Sequence, residues 1–300
     1  MSADSVAAVK REILVRHLET WAPQALHRGR RAAYVHGYAD DVPDLAEAAL
    51  RVFTEQSDLV RGRELTMLAI GSEVGDVAAR LGKLPPAPGL TVLTIGGGTQ
   101  ERIGVALKAA GALRVPMLGF LDASSASGPP SPATLAALAT GKPAEILVVL
   151  PSGSSVPDFR EALNTAGFPL VAAVELAVSD DPAEIVVYAT TLGKSLESFK
   201  DVLWAVDEFA GVRYRDPGDP ERHLIDISLE PHPGPLRREL LAHLGQAGSA
   251  TVAELRTFAL TETVYRASDA TRVVHALLDA GSVTRRPEQG RLGGDVVISL

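Results

Sequence analysis

The segment YVHGYADDVPDL, Tyr34 to Leu45, puts one imidazole and three carboxylates where a β-branched and aromatic run gives way to an alanine-rich helical pattern. A strand, a turn and a helix in that order form the usual cradle of an α/β protein, because the helix start presents free backbone N–H groups. Glycines suit such a turn, since they admit a ligand close to the backbone and take positive φ. Here Gly37 is followed within five residues by Asp40, Asp41 and Val42, and a β-branched residue fills neither role. His36, at the strand end, is of the type that moves protons near neutral pH, or else it is a hydrogen-bonded core residue. Asp40, Asp41 or Asp44 can equally cap the following helix and complement its dipole.

Further acids stand at other strand ends. ELTMLAIG closes on Gly71 and is followed by Glu73, and VPMLGFLD closes on Asp122; either carboxylate is placed to hold a ligand. IGGGTQER (95–102) sets three glycines between a strand and a helix, but it lacks the Lys-Ser/Thr of a P-loop and the dinucleotide spacing, so it reads as a flexible turn. PSGSS (151–155) offers serines without the G-x-S-x-G elbow of a hydrolase. The seven histidines show no ligand spacing, so no metal site is indicated. With no cysteine in the chain, disulfides, thiolate metal sites and cysteine nucleophiles are excluded.

The elements that must position these groups alternate. A helix over 6–28 carries Val9, Ile13, Leu14, Leu18, Trp21 and Ala25 on one stripe. Nearly continuous apolar runs then predict strands at about 32–38, 64–71, 90–96, 115–122 and 145–150, as expected for parallel strands covered on both faces. Helices fall between them near 43–57, 73–83, 99–111 and 132–140, with another near 157–166. PLVAAVELAVS and AEIVVYATT are joined by SDDP alone, which leaves no room for a helix and predicts an antiparallel hairpin. The fold class is therefore α/β: a seven-stranded Rossmann-like sheet with an antiparallel last strand, closed by a helix at about 195–210. This is the layout most S-adenosylmethionine-dependent methyltransferases use.

RYRDPGDPERH reads as a polar linker, followed by a short strand at HLIDISL, and the connection over 213–234 divides residues 1–212 from residues 235–300. The last part is compositionally different: from Pro235 on, eight arginines face seven acids, a net +1, whereas the whole chain of 300 residues carries −8. Three helices and a two-stranded hairpin are expected there, the pattern of a winged helix-turn-helix. Its third helix would turn Asp269, Arg272 and His275 outward, and its wing carries Arg285, Arg286 and Arg291. These are candidates for contact with DNA or RNA, although the acidic whole argues against broad charge-driven binding; a protein partner is the alternative. No apolar run approaches the roughly 20 residues of a membrane span, and the N-terminus lacks a secretory core, so a cytoplasmic protein without membrane contact is expected.

KREILVRHLETWAPQALHRGRRAAYVHGYA, FLDASSASGPPSPATLAALATGKPAEILVVLP, SFKDVLWAVDEFAGVRYRDP and the segment from LRRELLAHL to VVHALLDAG together resemble the three-Cys-motif partner protein (TcmP) family. That resemblance implies a class I methyltransferase-like domain with a C-terminal winged helix, S-adenosylmethionine as cofactor, and a protein partner related to three-Cys radical-SAM-like proteins. It also shows departures. Where the family's first strand ends in an acid and a Y/F-A-G-P-G loop, this chain has His36, Gly37-Tyr38-Ala39 and then Asp40-Asp41-Val42. The acids expected after the second strand become Gly71-Ser72-Glu73, and a Leu-Asp-Pro-Phe-Gly pattern becomes Leu121-Asp122-Ala123-Ser124-Ser125. The cofactor's carboxylate would meet like charge at Asp40 and Asp41, though one of them could face its ammonium. The reading that follows is a degenerate, non-catalytic protein acting as a scaffold or regulator through its winged helix, with oligomerisation left open. The alternative is an S-adenosylmethionine-dependent methyltransferase, or another transferase using the same cleft, with Asp122 and His36 catalytic and Gly37, Asp40, Gly71 and Glu73 lining the cofactor.

Overall fold

The computed structural model describes residues 2–56, 62–178, 184–207 and 211–300. The SDDP turn and the end of the helix expected to run to 210 lie outside the described residues. The first helix, α1 (Ser2–Arg28), buries the stripe of Val9, Ile13, Leu14, Leu18 and Trp21. Strands β1 (Arg31–Gly37), β2 (Glu64–Ile70), β3 (Leu90–Ile95), β4 (Met117–Asp122) and β5 (Ala144–Leu150) then alternate with α2 (Pro43–Glu55), α3 (Gly75–Leu81), α4 (Thr99–Ala109) and α5 (Pro132–Leu138). Local chemistry sets several of these starts. Proline opens α2 and α5, and the Ser131 hydroxyl accepts from Thr134 N–H as the cap of α5. Helix α6 (Val156–Ala166) begins on a Ser155 cap and stops at Gly167, whose φ of 108° only glycine takes readily.

The hairpin is formed by β6 (Leu170–Ala177) and β7 (Glu184–Thr190), and α7 (Gly193–Trp204) closes the domain. The strand order begins β3-β2-β1-β4-β5-β7-β6, parallel except for β7, which runs antiparallel to both neighbours. The expected seven strands are a correction: the sheet has nine, because β8 (Arg213–Arg215) and β9 (Leu224–Ile225) extend it beyond β6. The added edge is held by side chains that a polar reading of RYRDPGDPERH overlooks. Tyr214 is buried and its hydroxyl donates to Leu203 O at 2.8 Å, and Arg215, 1% exposed, pairs with Glu175 at 3.2 Å.

Two apolar layers cover the sheet. On one face α1, α2, α3 and α7 bury Ile13, Trp21, Leu50, Phe53, Phe199 and Trp204, and on the other α4, α5 and α6 bury Ile103, Leu107, Leu135, Leu138, Phe159 and Leu163. Because the β3–β4 crossover passes to the far side of β1, the chain reverses direction of travel between β1 and β4. That point is where open α/β sheets leave a crevice at their carboxyl ends.

The last part contains α8 (Gly234–Ala247), β10 (Ser249–Thr251), α9 (Val252–Glu262), α10 (Ala267–Asp279), β11 (Thr284–Arg286) and β12 (Val297–Ser299). The three strands pair antiparallel in the order β10-β12-β11. This small body is fastened to the sheet through the turn between α9 and α10. Lys200 on α7 donates to the carbonyls of Thr263 and Tyr265, the latter at 3.1 Å, and Trp204 Nε1 donates to Val264 O at 3.2 Å. Asp216 accepts from Val264 N–H at 2.7 Å. Among the described residues no helix is long and apolar enough to cross a membrane.

Candidate functional site

The crevice lies where β1, β2 and β4 end. His36 occupies the last turn of β1 opposite Phe120, and Gly37 stands opposite Leu121, one residue before Asp122. Gly37 is required by packing: a Cβ there would collide with Leu121 Cδ2 and stand 2.7 Å from Thr99 Cγ2. The next residue, Tyr38, adopts the left-handed region at φ 54°, and its N–H donates to Thr99 Oγ1 at 2.7 Å. Thr99 Oγ1 in turn donates to Ile70 O at 3.0 Å. One threonine at the start of α4 thus ties the ends of β1 and β2 together and holds the strained turn in place.

His36 is fully buried, with Nδ1 2.9 Å from the Tyr34 hydroxyl and Nε2 without a hydrogen-bond partner. Burial pushes its pKa down to about 3, against the pull of the Asp122 charge, so the ring is neutral across the physiological range. The Tyr34 hydroxyl is held well above its ordinary value by burial and keeps its proton.

Asp122 is 1% exposed and fully engaged. One oxygen accepts from the Ser124 N–H at 3.1 Å and from the Ser124 hydroxyl, and the other pairs with Lys10 Nζ at 3.0 Å. Lys10 reaches across from α1 and also pairs with Glu184 at 2.8 Å. Burial acts to lower the Lys10 pKa, but the Asp122 and Glu184 carboxylates outweigh it and leave the value raised. An internal ammonium therefore sits on the one acid of the fourth-strand motif.

Asp40 bridges in the other direction. Its Oδ2 accepts from Ser72 N–H at 2.8 Å and from Glu73 N–H at 3.0 Å, so it crosses from the β1 loop to the β2 loop. Gly71 must be glycine for that reason, since a Cβ would collide with Asp40 Oδ1. None of the three aspartates caps α2: its N-cap is Val42, with no side-chain bond, and Asp44 in the first turn pairs instead with Arg80. Asp41 is raised by burial and by the neighbouring charges of Asp40 and Asp122. Glu73 is exposed and lends its backbone to the bridge. The glycines at 97 and 98 take φ of 100° and 90°, as a turn requires.

The structure thus brings His36, Gly37, Asp40, Gly71, Glu73 and Asp122 to one rim. Lys10, Tyr34, Thr99 and Glu184 complete the arrangement and were not legible as site residues. Among the described residues no group of three or more His, Asp or Glu is placed to hold a metal ion.

In the C-terminal body, Asp269 faces inward, contrary to the outward expectation. It is 3% exposed and holds the start of α10, accepting from Arg266 N–H at 3.0 Å and from the guanidinium groups of Arg266 and Arg272. Val273, Val274 and Leu277 form the buried stripe, so Arg272 and His275 fall on the exposed side of α10. Arg285 donates to the carbonyls of Pro287 at 2.9 Å and Arg291 at 3.3 Å and so shapes its own loop, while Arg286 and Arg291 are exposed. A groove between this body and the sheet is lined by Arg160, Asp216 and Glu262. Arg160 there holds backbone, donating to Val171 O at 3.1 Å and Thr261 O at 3.0 Å, and Glu262 lies 3.8 Å from its guanidinium.

Comparison of the sequence with protein-family models and with curated proteins gives no match. Among solved structures the chain is similar to phosphoethanolamine N-methyltransferase 1 of Haemonchus contortus, in complex with phosphoethanolamine and S-adenosylhomocysteine. The identity is 12% over 53% of this chain and 36% of that one, with a TM-score of 0.37. It is also similar to human methyltransferase-like protein 13 in complex with SAH, at 13% identity over 66% of this chain and 89% of that one, TM-score 0.37. EvdMO1 is similar at 13% identity over 66% of this chain and 44% of that one, TM-score 0.40. The chain thus spans about a third of the nematode enzyme and under half of EvdMO1. These likenesses are partial; the doubly wound α/β class follows from the strand order and the direction of β7.

Proposed function

We propose that this chain is a methyltransferase-like protein whose cofactor crevice is occupied by its own side chains, and that it works as a docking scaffold or regulator. The observation that carries the reading is the Asp40 carboxylate, which takes up the backbone N–H groups of Ser72 and Glu73. Those N–H groups lie at the end of β2, where a ribose would be gripped, and a fixed anion stands in their place. Lys10 does the same at the end of β4, spending its ammonium on Asp122. The residues present do not fit S-adenosylmethionine: the polar groups at the ends of β2 and β4 are already engaged within the chain. The TcmP resemblance, with its degenerate loops, agrees with this picture.

The working surface is the C-terminal body, read as a winged helix from residue 235 on; the segment 213–234 expected as a linker carries β8 and β9 of the sheet, so the division falls after β9 rather than after residue 212. Arg272 and His275 on α10, with Arg286 and Arg291 on the hairpin, lie on exposed positions suited to phosphate. Duplex DNA or RNA is the occupant these side chains favour. A protein partner, including one related to three-Cys radical-SAM-like proteins, is the other outcome.

A second reading has one observation in its favour: the buried His36 Nε2 without a partner, at the rim that Asp122 shares. It makes the chain a transferase using the same cleft. Thermal unfolding with millimolar S-adenosylmethionine or S-adenosylhomocysteine separates the two. A ligand at about 100 times its Kd stabilises by about 2.7 kcal/mol and lifts the midpoint by several degrees. No lift is expected; a clear one turns the proposal over in favour of the transferase. Fluorescence anisotropy on labelled duplexes tests the surface. Binding should weaken steeply with salt, and Arg286→Ala should reduce the salt slope by about one; salt-insensitive or absent binding redirects the search to proteins.

A further inference from the structure

The nine-stranded sheet ends differently at its two edges. At one, β9 is two residues long, and a short edge is one of the ordinary ways to prevent unwanted pairing. At the other, β3 reads LTVLTI: six residues with no charge and no proline, and Leu93 is 40% exposed. Among the described residues no strand lies beyond it.

The backbone of β3 shows which groups face outward. Leu65 N–H donates to Gly89 O at 2.8 Å and Gly71 N–H to Ile95 O at 3.2 Å. The alternation of a parallel ladder therefore turns residues 89, 91, 93 and 95 toward β2 and Leu90, Val92 and Thr94 away from it. Leu90 N–H returns to Ala87 O at 3.1 Å. The outward row is then the N–H groups of Val92 and Thr94 and the carbonyls of Leu90, Val92 and Thr94.

We infer that β3 is the interface at which the chain pairs, antiparallel and about a two-fold axis, with a second copy of itself. An axis perpendicular to the sheet keeps each side chain on its own face, so opposed residues must share parity and the axis passes midway between the two copies of one residue. Centred on Val92, it sets Val92 against Val92 of the second copy and Leu90 against Thr94. Two hydrogen bonds form between the valines, and each Thr94 N–H meets a Leu90 carbonyl, so four outward donors are satisfied at once. On the opposite face Leu93 of each copy is covered by Thr91 of the other. Every facing pair is apolar or hydroxyl-bearing, which favours association.

Charge selects the second copy and its direction. Glu73, Asp76 and Glu101 are exposed at the carboxyl end of this edge, where Gly97 N–H donates to Ser72 O at 3.3 Å, and they outnumber the one exposed cation there, Arg102, which lies against Gly97. Lys83 is exposed past the end of α3, at the amino end. Reversal about the axis brings the acidic end of each copy to the basic end of the other, whereas a parallel arrangement would set like against like. The interface is isologous and closes at two copies.

Sedimentation velocity of the full chain over a wide concentration range tests this, with a dimer expected. Val92→Pro removes an N–H that points away from β2, and Leu93→Lys places charge in the pair; both should yield monomers. Should Val92→Pro fail to fold, Lys83→Glu supplies the test from the surface. It should weaken the dimer at least tenfold, and Glu73→Lys with Asp76→Lys in the same chain should restore it. A wild-type chain that stays monomeric overturns the proposal, as does a dimer indifferent to Leu93→Lys and Lys83→Glu.

Discussion

At the strand ends and at the seam beneath the C-terminal body, an ammonium is buried in each case, yet the two are compensated differently. Lys10 faces two carboxylates, Asp122 at 3.0 Å and Glu184 at 2.8 Å. Lys200, fully buried, gives its hydrogen bonds to backbone carbonyls, those of Thr263 and Tyr265 in the α9–α10 turn and of Ala259 in α9. Opposite charge within contact raises the Lys10 pKa despite its burial, whereas burial drives Lys200 down to about 7. The strand ends are thus tied by charge and the seam by packing and backbone bonds.

The largest effect is expected at the seam. Trp204→Ala removes a side chain 1% exposed together with its bond to Val264 O. It should cost about 3–5 kcal/mol in urea unfolding. A loss below about 1 kcal/mol would mean that packing does not hold the two bodies together.

Alkali sharpens the contrast, because the two lysines respond with opposite sign. The folded pKa of Lys200 lies below its unfolded value, so between about 7 and 10.5 the unfolded chain binds more protons and stability rises with pH. The folded pKa of Lys10 lies above its unfolded value, so its stabilisation is complete below 10.5 and fades as pH climbs through the folded value. Unfolding free energies measured from pH 7 upward should show a rise that Lys200→Met abolishes and a later fall that Lys10→Met abolishes. Both variants tracking wild type would dissolve the comparison.

At constant pH, Lys10→Met should cost about 1–3 kcal/mol by leaving Asp122 with Ser124 alone. A neutral outcome would show that the crevice is closed by shape rather than charge. Smallest is Arg286→Ala, on an exposed strand end, which should shift stability by no more than about 0.5 kcal/mol. A larger cost would make it a structural residue and remove it from the docking surface.

Much of the fold was legible because parallel strands covered on both faces must be apolar along their length. The runs ELTMLAIG and EILVVL announced β2 and β5, and SDDP between two apolar runs announced the hairpin direction. The short strand expected at HLIDISL shrinks to the two residues of β9, while β8 escaped because three residues show no periodicity, and because Arg215 reads as solvated until Glu175 is seen beside it. The address of the site was legible, and its wiring was not. Lys10 and Asp122 are 112 residues apart, and nothing local marks α1 as the source of the ammonium. Asp40 was weighed as a helix cap because its true donors, the Ser72 and Glu73 N–H groups, belong to another loop. Asp269 was placed outward because helical spacing does not tell a surface acid from one that clamps its own helix start against Arg266.

The reach of Lys10 bears on how the chain is born. Translation delivers α1 well ahead of its ionic anchor, which needs β4, over a hundred residues later, and then β7, later still. At 5–20 residues per second the ribosome takes on the order of ten seconds to supply Asp122 and longer to supply Glu184. Until then α1 has α2 and β1 to lean on, with its ammonium still in water. Helix α1 is thus made well before it can be fully seated, and a nascent chain halted before β4 would carry a complete α1 that has nowhere to put its charge.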